Sequence, residues 1–180
     1  MNFMNNPYKQ YPVIDTANFT LRLVSEEDAI DLLVCYSDPK AQELFNIDGF
    51  PANCNFTTAD EMINCIKFWL MEYSQKRYVR FAVVDKTTNR AIGTIEMFGS
   101  ESGTGILRID LASNYEKPAF LDELLEACIA NFYDLFDVGC IATKAIDKAT
   151  KRINSLKNAG FQVKNFNERK HYFQRPRGSV

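Results

Sequence analysis

The sequence contains one histidine and one tryptophan, it has no C-x-x-C pair, and no apolar run reaches the length of about 18 residues that a membrane span needs. The first ten residues lack the apolar region of a signal peptide. The number of cysteines is odd, and most of them lie in apolar stretches: Cys35, Cys54, Cys65, Cys128 and Cys140. This pattern predicts reduced cysteines that pack in the core, no metal site and a cytoplasmic location.

The chain also lacks a large excess of charge of either sign, because it contains 21 basic and 23 acidic residues. No run of Lys or Arg occurs. Nucleic acids and anionic membranes are therefore excluded as expected partners. A chain of 180 residues fits one domain. We expect an N-terminal extension over residues 1–18, a single domain over 19–175 and a short tail over 176–180.

The first half of the chain predicts one strand, two helices and then more strands. Residues 19–24 alternate like a strand, and the Ser25 to Asp28 spacing marks a helix start that runs to about Tyr36. A second start at Thr58 to Glu61 opens a helix with one buried stripe, and Asp38 to Thr57 is predicted to be irregular. Three strands follow as an antiparallel meander, at about 78–85, 91–98 and 106–112.

The second half predicts a helix over about 119–136, with apolar residues every 3.6 positions, then a strand over 138–145. Asp147 is predicted to cap a helix that ends near Asn158, and Gly160 to take a left-handed conformation after it. Residues 161–166 and 170–174 are expected to form a hairpin. The fold class is α+β, a mixed central sheet with helices on both faces, in the order βααββββαβαββ give or take one strand.

Three segments carry a resemblance to a known family: Leu21-Arg22-Leu23 followed by Glu27-Asp28-Ala29, Ala91-Ile92-Gly93-Thr94-Ile95, and Asn158-Ala159-Gly160-Phe161. In their order and spacing they resemble the GNAT superfamily of acyl-CoA-dependent N-acetyltransferases, in the branch of ribosomal-protein N-terminal acetyltransferases. The resemblance covers about residues 19–175. It implies transfer of an acetyl group from acetyl-CoA to a primary amine, by direct attack in a ternary complex. The acceptor is expected to be a small molecule or a peptide, and the protein a monomer or a homodimer.

The cofactor loop of that family has Arg or Gln, two further residues, Gly, one further residue and then Gly or Ala, and the pattern falls here on Glu116, Ala119 and Leu121. None of these residues matches the pattern. A glycine leaves room for a pyrophosphate at a helix start, whereas Glu116 repels it and Pro118 removes an N–H donor. Capping of the helix alone and a modified cofactor site both explain these residues. The predicted cofactor-binding residues are Ile109, Asp110, Leu111, Glu116, Lys117, Ala119, Phe120, Leu121 and Arg152.

The predicted catalytic base is Glu96, because a carboxylate on a half-buried strand can have its pKa raised towards neutrality. Glu96 is expected to share a face of its strand with Ile92, Thr94 and Phe98. The alternative is a solvated or ion-paired Glu96. A set of residues on adjacent strands is predicted to share this face and either to neutralise Glu96 or to grip an acceptor: Arg80, Arg108 and Asp110.

Other groups give weaker predictions. The acid tyrosine of many relatives corresponds to Leu156, and the asparagine and serine of the same helix correspond to Ala149 and Arg152. Arg152 either binds a cofactor phosphate or is a solvated helix residue. Tyr115 and Tyr133 stay open as acids. His171 is given no role, and Cys140 is interpreted as a strand residue rather than a nucleophile.

The segment from Asp38 to Thr57 is rich in aromatic residues and is predicted to cover the acceptor end of the sheet, to pack as a lid on the core, or to form part of a dimer contact. Its large apolar residues include Phe45, Ile47, Phe50 and Phe56. Two further functions stay open beside the acetyltransferase. One is a non-catalytic binding module that has lost acyl-CoA binding, and the other is a transferase that uses a different donor.

Overall fold

The structure is a computed structural model of the chain and describes residues 6–45, 55–99, 102–165 and 169–179. The strands run along the chain as β1 (Ile14–Asp15), β2 (Phe19–Leu23), β3 (Val79–Asp85), β4 (Arg90–Gly99), β5 (Thr104–Leu111), β6 (Cys140–Lys144), β7 (Gln162–Val163) and β8 (Tyr172–Pro176). The helices are α1 (Ala29–Tyr36), α2 (Pro39–Gln42), α3 (Ala59–Ser74), α4 (Pro118–Leu135) and α5 (Thr150–Asn158).

The strands described here form one mixed sheet in the order β1-β2-β3-β4-β5-β6-β8-β7. Neighbouring strands are antiparallel except β5 and β6, which run parallel. Their pairing covers Thr104 to Leu107 of β5 only, so residues 108–111 have left β6. We call residues 108–111 the open half of β5, and the space between it and β6 the β5–β6 gap.

Helices α1, α2 and α3 cover one face of the sheet. The carboxylate of Asp28 accepts a hydrogen bond from the Ser25 N–H at 2.8 Å, which fixes the turn ahead of α1. Thr58 and Glu61 form the same reciprocal cap at the start of α3. The apolar face of α3 packs with α1 on β3 and β4 through Met62, Ile66 and Trp69.

Helices α4 and α5 cover the opposite face. The predicted 3.6-residue stripe of α4 is buried against the sheet, with Leu121, Leu124 and Phe132 inaccessible to solvent. Leu156 of α5 joins the same core cluster. A left-handed Gly160, with φ of 83°, ends α5 as predicted. The predicted α+β class, the mixed sheet and its two helical faces are therefore confirmed.

Several details of the predicted order were wrong. The described residues between α3 and α4 form the predicted meander of three strands, so the fourth strand that the written order placed there is absent, and β1, which pairs with β2, was not predicted. The segment predicted to be irregular contains α2, whose start is capped by the side chain of Asp38. Asp147 does not cap α5, because the helix begins at Thr150 and the Asp147 carboxylate lies 3.2 Å from the imidazole of His171.

A bulge in β4 changes the face on which one residue lies. The β3–β4 register shifts between Val83 and Val84, so that Val83 pairs with Gly93 and Val84 with Ala91. Ile92 is the additional residue and joins the core cluster of α4, on the face opposite Thr94 and Glu96. The prediction that Ile92 shares the Glu96 face was therefore wrong.

Candidate active site

A buried cluster of polar side chains lies between α1, α3 and the middle of the sheet. We call it the polar cluster, and it consists of Tyr36, Arg80, Thr94, Glu96, Arg108 and Asp110. The strand positions follow from the register, since Glu96 of β4 lies between Arg80 of β3 and Arg108 of β5. The prediction that Arg80, Arg108 and Asp110 share one face with Glu96 is confirmed.

Tyr36 connects the inner half of the polar cluster. Its hydroxyl donates to Asp110 Oδ2 at 2.8 Å and lies 2.7 Å from the Oγ1 of Thr94. The Nη1 of Arg80 lies within 3.5 Å of all three oxygens, at 3.0 Å from Thr94, 3.2 Å from Tyr36 and 3.5 Å from Asp110. Burial, reinforced by Asp110, raises the pKa of Tyr36 well above its ordinary value. The phenol therefore stays protonated and acts as a donor.

Glu96 forms the outer half of the polar cluster with Arg80, whose Nη2 donates to the Glu96 carboxylate. The guanidinium of Arg80 also lies 4.1 Å from the ring centroid of Trp69, a cation–π distance. The Glu96 side chain retains 12% of its exposure. The carboxylate is ion-paired, which is one form of the alternative to a catalytic base, and it still reaches the surface of the site. The role of Glu96 as a base stays a prediction.

Asp110 is held as a carboxylate by two arginines. Burial opposes its ionisation, but the charges of Arg108 and Arg80 outweigh burial and hold the pKa of Asp110 below its ordinary value. Arg108 Nε donates to Asp110 Oδ2 at 2.9 Å. The two arginines and the two carboxylates of the polar cluster balance in charge, which is the arrangement that a buried ionic group requires.

Arg152 is buried and not solvated, so that alternative for the residue was wrong. Its side chain is 3% exposed, Nη1 donates to the carbonyl oxygens of Ile109 at 2.7 Å and Leu44 at 3.3 Å, and Nη2 donates to the carboxylate of Glu116. Ile109 belongs to the open half of β5. Arg152 therefore fills part of the β5–β6 gap together with Glu116.

The start of α4 offers few free donors to an anion. Pro118 has no N–H, and the N–H groups of Phe120 and Leu121 both donate to the carbonyl of Lys117, at 3.1 and 3.0 Å. Among the residues that the structure describes, the Ala119 N–H at this turn has no hydrogen-bond partner. The Glu116 carboxylate is paired with the Arg152 guanidinium, so it lies where an anion at this turn would meet Arg152.

The other predicted cofactor residues are divided between surface and core. Lys117 and Ala119 are exposed. Phe120 packs edge-on against Phe19 with ring centroids 5.2 Å apart. The side chains of Ile109, Leu111 and Leu121 lie in the core cluster, so only their backbone groups can face a ligand. The cofactor-binding role of all these residues stays a prediction.

The two open tyrosine candidates make other hydrogen bonds. The Tyr115 hydroxyl donates to Asp85 at 2.6 Å, and the Tyr133 hydroxyl donates to the carbonyl of Arg175 at 2.7 Å. Burial raises the pKa of both phenols. Burial likewise raises the pKa of the Cys140 thiol, which disfavours a thiolate nucleophile.

Sequence reasoning missed Tyr36, which belongs to the polar cluster, and Trp69, which packs against Arg80 of the cluster. Tyr36 ends α1, where an aromatic residue among apolar neighbours indicates packing alone. Its ring lies 5.2 Å from that of Phe45 and 6.1 Å from that of Phe56, so both aromatic residues pack on the ring of Tyr36. The predicted turn around Ile47 and Phe50 lies outside the described residues.

Two general properties apply to residues 6–45, 55–99, 102–165 and 169–179. In these ranges no helix combines the length and the apolar character that a membrane crossing requires. No group of His, Cys, Asp and Glu side chains in the same ranges could hold a metal ion.

The chain matches a family model described as acetyltransferase (GNAT) domain over residues 18–162. It is 24% identical to the uncharacterized N-acetyltransferase YoaA of Bacillus subtilis over 85 residues, which span 47% of this chain and 45% of that protein, so the match covers about half of this curated relative.

Two solved structures share the fold. A ribosomal-protein-S5-alanine acetyltransferase from Vibrio fischeri superposes with a TM-score of 0.72 at 16% identity, over 93% of this chain and 97% of the other. RimJ from Mycobacterium smegmatis, in complex with CoA-disulfide, superposes with a TM-score of 0.73 at 10% identity, over 92% and 87%. The family match covers most of the chain and the same architecture recurs in these structures, so the chain belongs to the GNAT acetyltransferase family.

Proposed function

We propose that this protein is an N-acetyltransferase that moves an acetyl group from acetyl-CoA to a primary amine, with Glu96 as the base. The observation that carries the proposal is the place of Glu96 in the sheet. Its partner across β4 and β5 is Arg108, the first residue of β5 beyond the pairing with β6. Glu96 therefore lies on the neighbouring strand, level with the residue at which the β5–β6 gap begins, in the sheet of a GNAT acetyltransferase domain.

Glu96 would accept the proton that the acceptor ammonium must lose before it attacks, either directly or through a water that it orients. Arg80 holds the carboxylate in one position through their ion pair, while Trp69 packs on the other side of Arg80. Positioning of this kind is what a general base needs first. We propose that the amine attacks in a ternary complex, since the thiol of Cys140 is not poised to form an acyl-enzyme.

Acetyl-CoA would supply the activated acetyl group. The residues that would hold it are those around the open half of β5 and the start of α4, with Arg152 as the phosphate ligand. As arranged, these residues do not fit a diphosphate. Arg152 is already paired with the carboxylate of Glu116, and the start of α4 offers the Ala119 N–H as its unbonded donor.

This same contact favours a second candidate function. A member of the family that has lost acyl-CoA binding, and serves as a binding module, would be expected to fill the gap with its own side chains. A transferase with a less anionic donor would tolerate Glu116 as well. The two candidates differ from the first in whether coenzyme A binds at all.

The acceptor is proposed to be the primary amine of a peptide or of a small molecule. Peptide N-termini are the first acceptors to test, because a solved relative with this fold is named for ribosomal protein S5. We propose that the reaction takes place in the cytoplasm and that the protein acts as a monomer or a homodimer.

The test is acetyl transfer from acetyl-CoA to a panel of peptides, polyamines and aminoglycosides, measured as released thiol. The wild-type protein should turn over at least one class. Glu96→Gln should lose about 100-fold or more of that activity, the range of a lost general base. The glutamine amide in this variant keeps a hydrogen-bond acceptor for Arg80, and Tm measured for each variant shows whether the fold is retained.

Glu126→Gln is the matched control, since it makes the same chemical change at an exposed position of α4. It should keep wild-type activity. Full activity in a folded Glu96→Gln would exclude Glu96 as the base, and a wild-type protein that acetylates no amine in the panel would favour the binding module.

A further inference from the structure

Arg152 reaches from one face of the sheet to the other. It belongs to α5, which packs beside α4, and its neighbour Leu156 lies in the core cluster of that face. Its guanidinium donates to the carbonyl of Leu44. Along the chain, Leu44 lies between Ala41 and Phe45, which both belong to the core cluster on the other face. On the way the guanidinium bonds Ile109 in the open half of β5. The side chain therefore crosses the β5–β6 gap.

A guanidinium in this position carries a large desolvation cost unless it is paired. Glu116 supplies the opposite charge, and both side chains are nearly inaccessible, at 3% and 6% exposure. The pairing is incomplete, because the buried Nε of Arg152 has no hydrogen-bond partner among the described residues. An arginine at such a site has capacity for a ligand with more acceptor oxygens than one carboxylate offers.

Glu116 lies two residues before the first residue of α4, an 18-residue helix. The positive end of the helix dipole and the unbonded Ala119 N–H both favour an anion at this end. The buried Arg152 points at the same place from α5. Two independent features thus form an anion site, and the carboxylate of Glu116 is the anion that it now holds.

We propose that Glu116 is an intramolecular occupant of this anion site, and that a ligand carrying a diphosphate binds by displacing the Glu116 carboxylate from Arg152. The inference rests on the proposed function for coenzyme A as the diphosphate ligand, and adds how access to that site is controlled. Glu116 directly follows the short 3-10 turn Ser113–Tyr115 and lies outside α4.

The pairing of Glu116 with Arg152 lowers the apparent affinity for a ligand in proportion to the fraction of molecules in which the site is open. When the site is free in about one molecule in ten, the apparent affinity is about tenfold lower than that of an open site. Glu116→Gln removes the competing charge while keeping the size of the side chain. It should therefore tighten the binding of both inorganic pyrophosphate and coenzyme A by about tenfold or more.

The experiment is isothermal titration of the full chain with inorganic pyrophosphate and, separately, with coenzyme A at near-physiological salt. Asp122→Asn is the matched control, because it removes one negative charge from an exposed residue in the first turns of α4 that does not contact Arg152. It should change either affinity by less than about twofold. A double variant, Glu116→Gln with Arg152→Gln, should lose the gain of the single variant.

The outcomes separate this inference from the proposed function. Glu116→Gln that binds pyrophosphate no more tightly than the wild-type protein overturns the inference, and so does an equal gain in Asp122→Asn. If such a protein still binds coenzyme A and acetylates an amine, the proposed function stands alone. A gain in pyrophosphate affinity without any acetyl transfer supports the inference and rejects the function.

Glu116→Gln leaves the buried Arg152 without a charged partner and can fail to fold. Glu116→Asp then provides the test, because it keeps the charge but is one methylene too short to reach Arg152 in the same way. It should also tighten pyrophosphate binding relative to the wild-type protein. A folded Glu116→Asp with wild-type affinity would overturn the inference.

Discussion

At the scale of single residues, Tyr36 carries the inner half of the polar cluster through one hydroxyl group. That hydroxyl donates to Asp110 and contacts Thr94 and Arg80, and the residue has no solvent-accessible surface. Tyr36→Phe would leave oxygen and nitrogen atoms of these partners without one of their bonds. We expect a loss of about 1–3 kcal/mol in the free energy of unfolding, measured by urea denaturation.

Tyr11→Phe is the control for this change, since Tyr11 is 53% exposed. Its free energy of unfolding should stay within about 0.5 kcal/mol of the wild-type value. Equal stabilities of Tyr36→Phe and Tyr11→Phe would mean that the polar cluster does not depend on the Tyr36 hydroxyl.

The sequence was sufficient to predict the members of the polar cluster that lie on strands. Alternation along β3, β4 and β5 put Arg80, Glu96, Arg108 and Asp110 on one face, because period 2 is a local property of a strand. Tyr36 could not be found in this way. Its partners lie 58 and 74 positions further along the chain, and nothing near α1 records them.

At the scale of elements, the helix starts with local caps were predictable. The side chain of Thr58 accepts from the Glu61 N–H three residues later, so the start of α3 needs no information from elsewhere in the chain. Asp147 has the residue type of a cap but contacts His171 instead. The difference is a tertiary contact that the order of residues around Asp147 does not reveal.

Gly93 is the element-scale feature that holds β4 and β5 close together beside the bulge. A Cβ at this position would lie 2.1 Å from the carbonyl oxygen of Asp110 and 2.8 Å from the Cα of Leu111. Both contacts involve backbone atoms, which cannot move aside without opening the sheet. Gly93→Ala should therefore lower the free energy of unfolding by about 1–3 kcal/mol or more, measured by urea denaturation.

The control is Gly139→Ala, where the nearest atom to the new Cβ is 3.9 Å away. This variant should unfold close to the wild-type midpoint. A Gly93→Ala protein as stable as Gly139→Ala would show that β4 and β5 do not approach as closely at this position as the structure has them.

At the scale of the whole molecule, the division of the sheet follows from its connections. Strands β2 to β5 are joined in antiparallel pairs, whereas β6 returns beside β5 after α4 and must run parallel to it. The sequence predicted this mixed sheet. It did not predict that Arg152 and Glu116 fill the gap, because their contact joins α5 to the turn before α4 across 36 positions.

The decisive measurement is a thermal unfolding titration of the wild-type protein with coenzyme A, acetyl-CoA and desulfo-coenzyme A up to millimolar concentration. A ligand at 100 times its Kd adds about 2.7 kcal/mol, which corresponds to a rise in Tm of about 5–11 °C for a chain of this size. A saturable rise with all three ligands is the expected result, because Glu116 lowers affinity without abolishing it. An unchanged Tm at millimolar ligand would contradict an acetyl-CoA-dependent enzyme.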